Sequence, residues 1–378
     1  MDHPPKPAVS FFHHFEALED PRIDRCKRHR LGDILFLAVC AMLGGANDFV
    51  AMEKFGHAKR AWLDKFLELP HGIPSHYTIG RVFALLDAER FIDCFVGWVQ
   101  TIHEVTAGQF IGLDGKTARA SLDRARGQNP LHVVSAWAAE NRVVLGEVVV
   151  DDKSNEITAI PRLLDLLELH GAIVTIDAMG CQKDIAAKVR ERGADYVLTV
   201  KGNQEHLEED IVAYFAALDE GSKRCRRRSS TTQHTRGHGR VETRWCDAVP
   251  VPKALRNRDE WKDLRSICRV TRAWTEKGQE KSEVRYFISS LAADAKVLSK
   301  AILGHWGIEN GLHWVLDMYF AEDRSRARTA HAAANLAVLR RWVITLLRQD
   351  KTLKDGIEKK RLQAGWNEKI LERILGLS

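Results

Sequence analysis

At 378 residues with 45% hydrophobic side chains, the chain is long enough to bury a large core and to hold two or three domains. Its 57 Lys and Arg against 51 Asp and Glu leave a formal charge of +6, which hides an asymmetry: Lys223 to Arg244 carries eight cations against Glu242 alone, and Arg324 to Arg348 carries six with no acid between. Seven cysteines, an odd number without a CxxC pair, exclude a disulfide framework and a cysteine zinc site and point to reduced, mostly buried thiols. The start, MDHPPKP, has no apolar signal core, and the longest apolar run, Ile34 to Leu43, falls short of the roughly 18 residues a membrane span needs. A cytoplasmic protein without membrane contact is expected. Basic blocks of this kind suit a phosphate backbone as partner, or else form solvated faces and salt-bridge donors.

In chain order, residues 1–30 read as a polar arm. Residues 31–105 read as a helical domain: the run to Leu43, then Phe49 to Leu67, then Tyr77 to His103, with Ser75 placed to cap the third helix. Helices joined by a Gly-containing turn suit a DNA-binding module, and they suit a plain packing domain equally. From Phe110 the texture becomes β-like. Phe110 to Leu113 ends at Asp114-Gly115, and His132 to Trp137 and Val143 to Val150 complete an antiparallel meander. Next come a helix from Glu156 to Leu169, a strand from Ala172 to Ile176 stopping at Asp177, a helix from Gln182 to Arg192, a strand from Tyr196 to Val200, and a helix from Gln204 to Leu218. That order predicts an α/β fold, a mixed sheet with helices on its faces, over 106–218. Residues 219–298 read as an inserted β-rich basic subdomain, 299–350 as helices completing the core, and 351–378 as a charged tail.

His305 to Arg328 is expected to be helical, because Ile302, Trp306, Leu312, Leu316 and Phe320 recur at three- or four-residue steps. Glu309 shares that apolar stripe. A carboxylate there needs a partner: His305 or His313 at helical spacing, an Arg, or a metal ion. Upstream, Asp114 and Asp177 each follow a strand. Each has a plain alternative role, Asp114-Gly115 as a turn and Asp177 as a cap. If the first and fourth strands are neighbours, both aspartates lie at one edge, within reach of a helix bearing Glu309. Three converging carboxylates raise one another's pKa unless cations intervene, and hard oxygen ligands suit Mg²⁺ or Mn²⁺. Two such ions roughly 3.5 to 4 Å apart clamp the attacking and leaving oxygens of a phosphoryl displacement.

GLDGKT, TIDAMGCQKDIA, DYVLTVKGNQ, GHGRVETR and HWGIENGLHWVLDMYFAED, in that order, resemble the H-repeat-associated transposases of bacterial insertion sequences. PHGIPSHYTIGRVFALLD is similar to the helical domain associated with that family, and the likeness spans about Phe11 to Arg348. The resemblance implies a ribonuclease-H-like core and a DDE triad of Asp114, Asp177 and Glu309 holding two Mg²⁺ or Mn²⁺ ions. It also implies that the enzyme cuts the element's ends and joins a 3′-hydroxyl to target DNA. Its partners are then double-stranded DNA, both terminal inverted repeats and target, with a homodimer assembled on it. Where the wider group carries a Tyr, an Arg and a Lys, this chain has Ile302, His305 and Leu316, so Trp306, Asn310 and His313 are candidate substitutes.

Lys116, Lys201 and Arg240 are the candidate phosphate contacts, with His305, Asn310 and His313 beside the glutamate. His234 and His238 have metal-ligand spacing but sit in a Gly-rich β context, which disfavours zinc. The rival reading is a catalytically inactive DNA-binding protein derived from a transposase. A glycosidase leaves the basic blocks unexplained, and no phosphate-binding glycine motif follows a strand.

Overall fold

Strands β1 (Phe110–Thr117), β2 (His132–Ala138) and β3 (Val143–Val149) form the expected antiparallel meander, and β4 (Ile173–Ile176) and β5 (Asp195–Val200) run parallel to β1 on its other side. The structure, a computed structural model, describes residues 13–377 except Glu104, Thr106, Asp152, Lys153, Lys223, His238, Gly239, Lys277 and Gly278; at Cys26, Ala125, Arg236, Arg240, Val241 and Glu276 it describes the backbone alone. Val134, Ala136, Val144, Val174 and Leu198 are buried to within 1% of complete exclusion, which explains why these stretches read as apolar runs.

The β-rich stretch at 219–298 supplies β6 (Ser229–Gly237), β7 (Arg240–Pro250), β8 (Ser266–Glu276) and β9 (Gln279–Ser289). Its strands do not stand apart. β9 pairs antiparallel with β5, so one nine-stranded sheet runs β3-β2-β1-β4-β5-β9-β8-β7-β6.

The helical unit comprises α1 (Leu31–Leu43), α2 (Phe49–Ala58), α3 (Arg60–Leu63), α4 (His76–Leu85) and α5 (Ala88–Ile102). Side chains cap it as the sequence predicts: Ser75 accepts from the Thr78 N–H at 3.3 Å, and Asp87 accepts from Arg90 at 2.9 Å. The Asp87 cap divides the expected single helix from Tyr77 to His103 in two. Ile34 to Leu43 is wholly buried, a core helix, and among the described residues no helix is long and apolar enough to cross a membrane.

Helices α6 (Glu156–Leu166), α7 (Lys183–Glu191) and α8 (Glu205–Asp219) connect the sheet strands. After β9 come α9 (Ala295–Ile308), one π turn (Glu309–His313) and α10 (Trp314–Tyr319). The helix expected to reach Arg328 therefore stops at Tyr319, where the chain reverses through Ala321 at φ +49°. Helix α11 (Ala332–Gln349) is not amphipathic: it is buried along almost its whole length between the helical unit and the sheet. Trp342 at its centre packs against Phe15 at 4.8 Å and Trp98 at 5.2 Å between ring centroids.

Both chain ends depart from expectation. Phe15 and Leu18 are core residues, so the segment from 13 is anchored rather than a loose arm. The charged tail forms α12 (Ile357–Trp366) and α13 (Glu368–Leu375). Its Arg361 is buried, donates to the Met42 carbonyl at 2.8 Å and to Asn47 at 2.9 Å, and also reaches the Tyr319 carbonyl. A guanidinium thus satisfies the open carbonyls at the end of α1.

Candidate active site

Leu113 of β1 pairs in parallel register with Ile176 of β4, so the following residues, Asp114 and Asp177, lie side by side where β4 ends. Neighbouring strands are about 4.8 Å apart, close enough for the two carboxylates to repel. Alternation along the strands turns Gly112, Asp114 and Thr175 to the face covered by α9. There the His305 Nδ1 is hydrogen-bonded to the Thr175 Oγ1 at 3.1 Å. Two strand residues advance about 6.6 Å and four helical residues about 6 Å, so the step from Thr175 to Asp177 is matched by the step from His305 to Glu309. Asp114, Asp177 and Glu309 consequently line one pocket, with Lys201, His305 and Trp306 around them.

The three carboxylates differ in environment. Asp114 is pushed up to about 7, first by burial and then by the charges of Asp177, Glu309 and Glu156, while the Gly115 N–H donates to its Oδ1 at 3.0 Å. It sits inside a strand rather than in a turn. Asp177 is also raised by burial, against two turn N–H groups, Met179 at 3.1 Å and Gly180 at 3.3 Å, that donate to its Oδ1. It therefore caps a turn and faces the pocket at once. Glu309 is exposed and, among the described residues, its carboxylate has no hydrogen bond or ion pair, so neither His305 nor His313 partners it. Its place on the π turn comes with close packing: a Cβ on Gly311 would lie 2.8 Å from the Trp137 ring.

A second layer of charge lies on the same face. Ser135 and Glu147 continue the sheet rung from Asp114 across β2 and β3, and buried Arg341 of α11 spans them, with its Nε 3.2 Å from Ser135 Oγ and ion-paired to Glu147. Arg341 also holds Glu322 at 2.9 Å, and Lys116 Nζ sits 2.8 Å from Asp317 and 3.3 Å from Asp323. Three cations are turned inward here. Lys116 is a buried counter-charge among carboxylates, and Arg340 and Arg341 of the second basic block face the interior. His313 is likewise buried, its Nδ1 3.5 Å from Asp114 Oδ2, and burial pushes it down to about 3.

The remaining candidates separate. Lys201 is exposed at the end of β5 and lines the pocket. His305 lines it too, burial pushing the ring down to about 4. Asn310 is exposed but lines a neighbouring cleft with Arg244 and Arg272. Arg240 lies in β7 where only the backbone is described, and His238 lies outside the described residues, while His234 is hydrogen-bonded to Thr243. Ile302 and Leu316 are buried, and Trp306 is exposed with the Arg285 guanidinium 4.4 Å over its ring.

Sequence reasoning missed one partner of the site. Glu156 accepts from His132 Nε2 at 2.7 Å, and His132 Nδ1 is 2.7 Å from Thr117 Oγ1. The pair packs so closely on Gly115 that a Cβ there would lie 2.0 Å from Glu156 Oε1 and 2.7 Å from His132 Nε2, so any larger residue after Asp114 would displace the pair. Nothing in the local pattern distinguishes Glu156 from an ordinary first-turn acid. Among the described residues, no three His, Cys, Asp or Glu side chains are grouped tightly enough to hold a metal ion as they stand. The donor set nevertheless fits a hard divalent cation in its chemistry: all oxygens, with Asp114 raised by burial and by its neighbours' charge and Glu309 unpartnered.

Comparison with known proteins identifies the family. Residues 106–346 match the family described as "Transposase DDE domain", and residues 12–99 match the one described as "DDE_Tnp_1-associated". The chain is 41% identical over 375 residues to "Putative transposase YncI" of Escherichia coli O157:H7, covering 97% of this chain and 94% of that protein. It is 36% identical over 367 residues to "H repeat-associated putative transposase YhhI" of Escherichia coli strain K12, covering 96% of each. With a mixed sheet of ribonuclease-H-like order and an acidic pocket at its centre, the chain belongs to the DDE transposases, among their H-repeat-associated members.

Proposed function

We propose that this transposase cuts DNA at the ends of its mobile element and transfers the freed 3′-hydroxyl to target DNA, with Asp114, Asp177 and Glu309 as the catalytic triad. The observation that carries this reading is that three carboxylates, from stretches 63 and 132 residues apart, line one pocket. The same three residues would hold the two Mg²⁺ or Mn²⁺ ions, which when bound supply Lewis acidity to the attacking and leaving oxygens of the phosphodiester. Asp114 and Asp177 each have one oxygen fixed by backbone N–H groups, so each presents a constrained carboxylate to the pocket. Glu309, unpartnered and exposed, is free to close on a bound substrate. Lys201 adds a cation at the rim for a non-bridging phosphate oxygen. Neutral His305 ties α9 to β4 through Thr175 and so sets the height of Glu309 above the sheet. Two element ends must be held at once, which calls for at least two copies of the chain on double-stranded DNA.

A strand-cleavage assay on DNA carrying the element's ends, with Mg²⁺, tests this. Glu309→Gln and Asp177→Asn should each lower cleavage by about 100-fold or more while leaving DNA affinity intact. Equal cutting by wild type and both variants would falsify the triad. Binding without cleavage by the wild type would leave the inactive DNA-binding relative instead.

A further inference from the structure

Outside the acidic pocket, an open groove runs between the helical unit and the segment 321–330 that follows α10. We propose that this groove seats the double-stranded DNA flanking the reacting phosphate, with Lys54, Arg81, Arg324 and Arg326 contacting its backbone. The proposal rests on the transposase reading for the identity of the polyanion. The groove itself is assigned by charge and by position.

The charge is one-sided. All four cations are exposed, and among the described residues none has a carboxylate within 4.0 Å. Elsewhere in the molecule the guanidinium groups are commonly satisfied: Arg256 by Glu209 and Asp210, Arg269 by Asp219 and Asp247, Arg341 by Glu147 and Glu322. The one acid lining the groove, Asp48, is already engaged, accepting from the Ala51 N–H at 2.8 Å as the cap of α2. Unpaired cations gathered on two facing walls repel one another unless an outside anion supplies the counter-charge, and a phosphate backbone does so along a line. Tyr77, 78% exposed in the same groove, offers an aromatic edge for a sugar.

The position is fixed and continuous with the catalytic strand. The two walls are tied together: the His331 N–H donates to the Ala84 carbonyl at 3.3 Å, and buried Asn335 donates to the Phe83 and Leu86 carbonyls at 2.8 Å. Arg328 donates to the Ala120 carbonyl at 3.0 Å, just beyond β1. Asp323, the residue before Arg324, is paired with Lys116, two positions from Asp114. A duplex lying along the groove is therefore led toward the aspartates by the same segment that carries the arginines.

The test uses the full chain and a labelled DNA duplex of arbitrary sequence, with fluorescence anisotropy read across a salt series. The triple variant Arg81→Ala, Arg324→Ala, Arg326→Ala should bind about tenfold or more weakly at physiological salt, with a log–log salt slope flatter by about 2 to 3. A control removing three exposed cations elsewhere, Lys65→Ala, Arg90→Ala, Lys262→Ala, takes away the same net charge and should keep the slope; thermal unfolding shows that all variants are folded. If the groove variant matches the wild type, or loses no more than the control, the groove assignment is overturned while the transposase reading stands. If the wild type binds no duplex, both fall. Competition by polyglutamate at equal charge concentration as effective as that by duplex would also overturn the proposal.

Discussion

Lys116 Nζ lies 2.8 Å from Asp317 Oδ1, joining the strand that bears Asp114 to the helix that follows Glu309. The Lys116 side chain is 8% exposed, and Asp323 and Glu322 complete the ammonium's surroundings at 3.3 and 3.9 Å. Two elements 200 residues apart in sequence are thus registered against each other by one buried cation directly beneath the site.

Replacing that cation tests its role. Lys116→Met should lower stability by about 1 to 3 kcal/mol, because it takes the nearest counter-charge from Asp317 and leaves Glu322 to Arg341 and Arg340, and Asp323 to Arg119. Urea denaturation measures this. A variant of wild-type stability with a flatter salt dependence of DNA binding would return Lys116 to the phosphate-contact role the sequence suggested.

Asp114 makes the metal-free protein sensitive to pH. Its folded pKa is raised to about 7, so the folded form keeps a proton that the unfolded chain releases near the ordinary value of about 4. Stability is therefore undiminished below pH 4, falls as pH rises from about 4 to 7, and stays lower above that. At 1.36 kcal/mol per pH unit the deficit reaches about 4 kcal/mol. Asp114→Asn removes it: in the presence of a chelator the variant should unfold later than the wild type at pH 8 and together with it at pH 4. Coincident curves at both pH values would mean that the carboxyl is not held in the way described.

The π turn can be probed at Gly311. Gly311→Ala drives a methyl to 2.8 Å from Trp137 and should cost about 1 to 3 kcal/mol while displacing Glu309, so cleavage should fall further than the loss of folded protein accounts for. Gly307→Ala is the matched control, since its Cβ meets Trp137 at an ordinary 3.6 Å and the helix gains by losing a glycine. Equal activity of the two variants would detach the packing of this turn from the site.

Arg341 holds two buried acids at once. Burial pushes Glu147 up to about 7, whereas Glu322, against its own burial, is held below the usual range by Arg341, Arg340 and Lys116. Arg341→Met should destabilise by about 3 to 5 kcal/mol, and adding Glu147→Gln with Glu322→Gln should recover part of that loss. Additive losses in the triple variant would show that the three residues are not coupled.

The central sheet was legible because its strands are bounded by polar turns and are apolar enough to be buried on both faces. Asp114 and Asp177 could be brought together on paper because parallel neighbours of matched register end together. What sequence could not show was direction. Lys116, Arg340 and Arg341 look like surface cations because the acids that receive them, Asp317, Glu322 and Glu147, lie far along the chain or one strand over. The folded tail escaped notice for the same reason: Arg361 finds its acceptors on α1, more than 300 residues away. Phe15 reads as one of three phenylalanines in a polar arm until Trp342 is placed beside it.

The extra backbone residue accommodated between Ile308 and Trp314 also sets a constraint on sequence drift. Deleting Asn310 would let the segment return to regular winding with both flanks still in phase, whereas deleting a residue within α9 or α10, where no extra residue is stored, would swing one side of the lesion by about 100° relative to the other. With α9 clamped to β4 and α10 clamped through Lys116, neither half is free to turn. Shortening α9 or α10 by one amino acid should therefore be harsher than removing the residue the π turn stores.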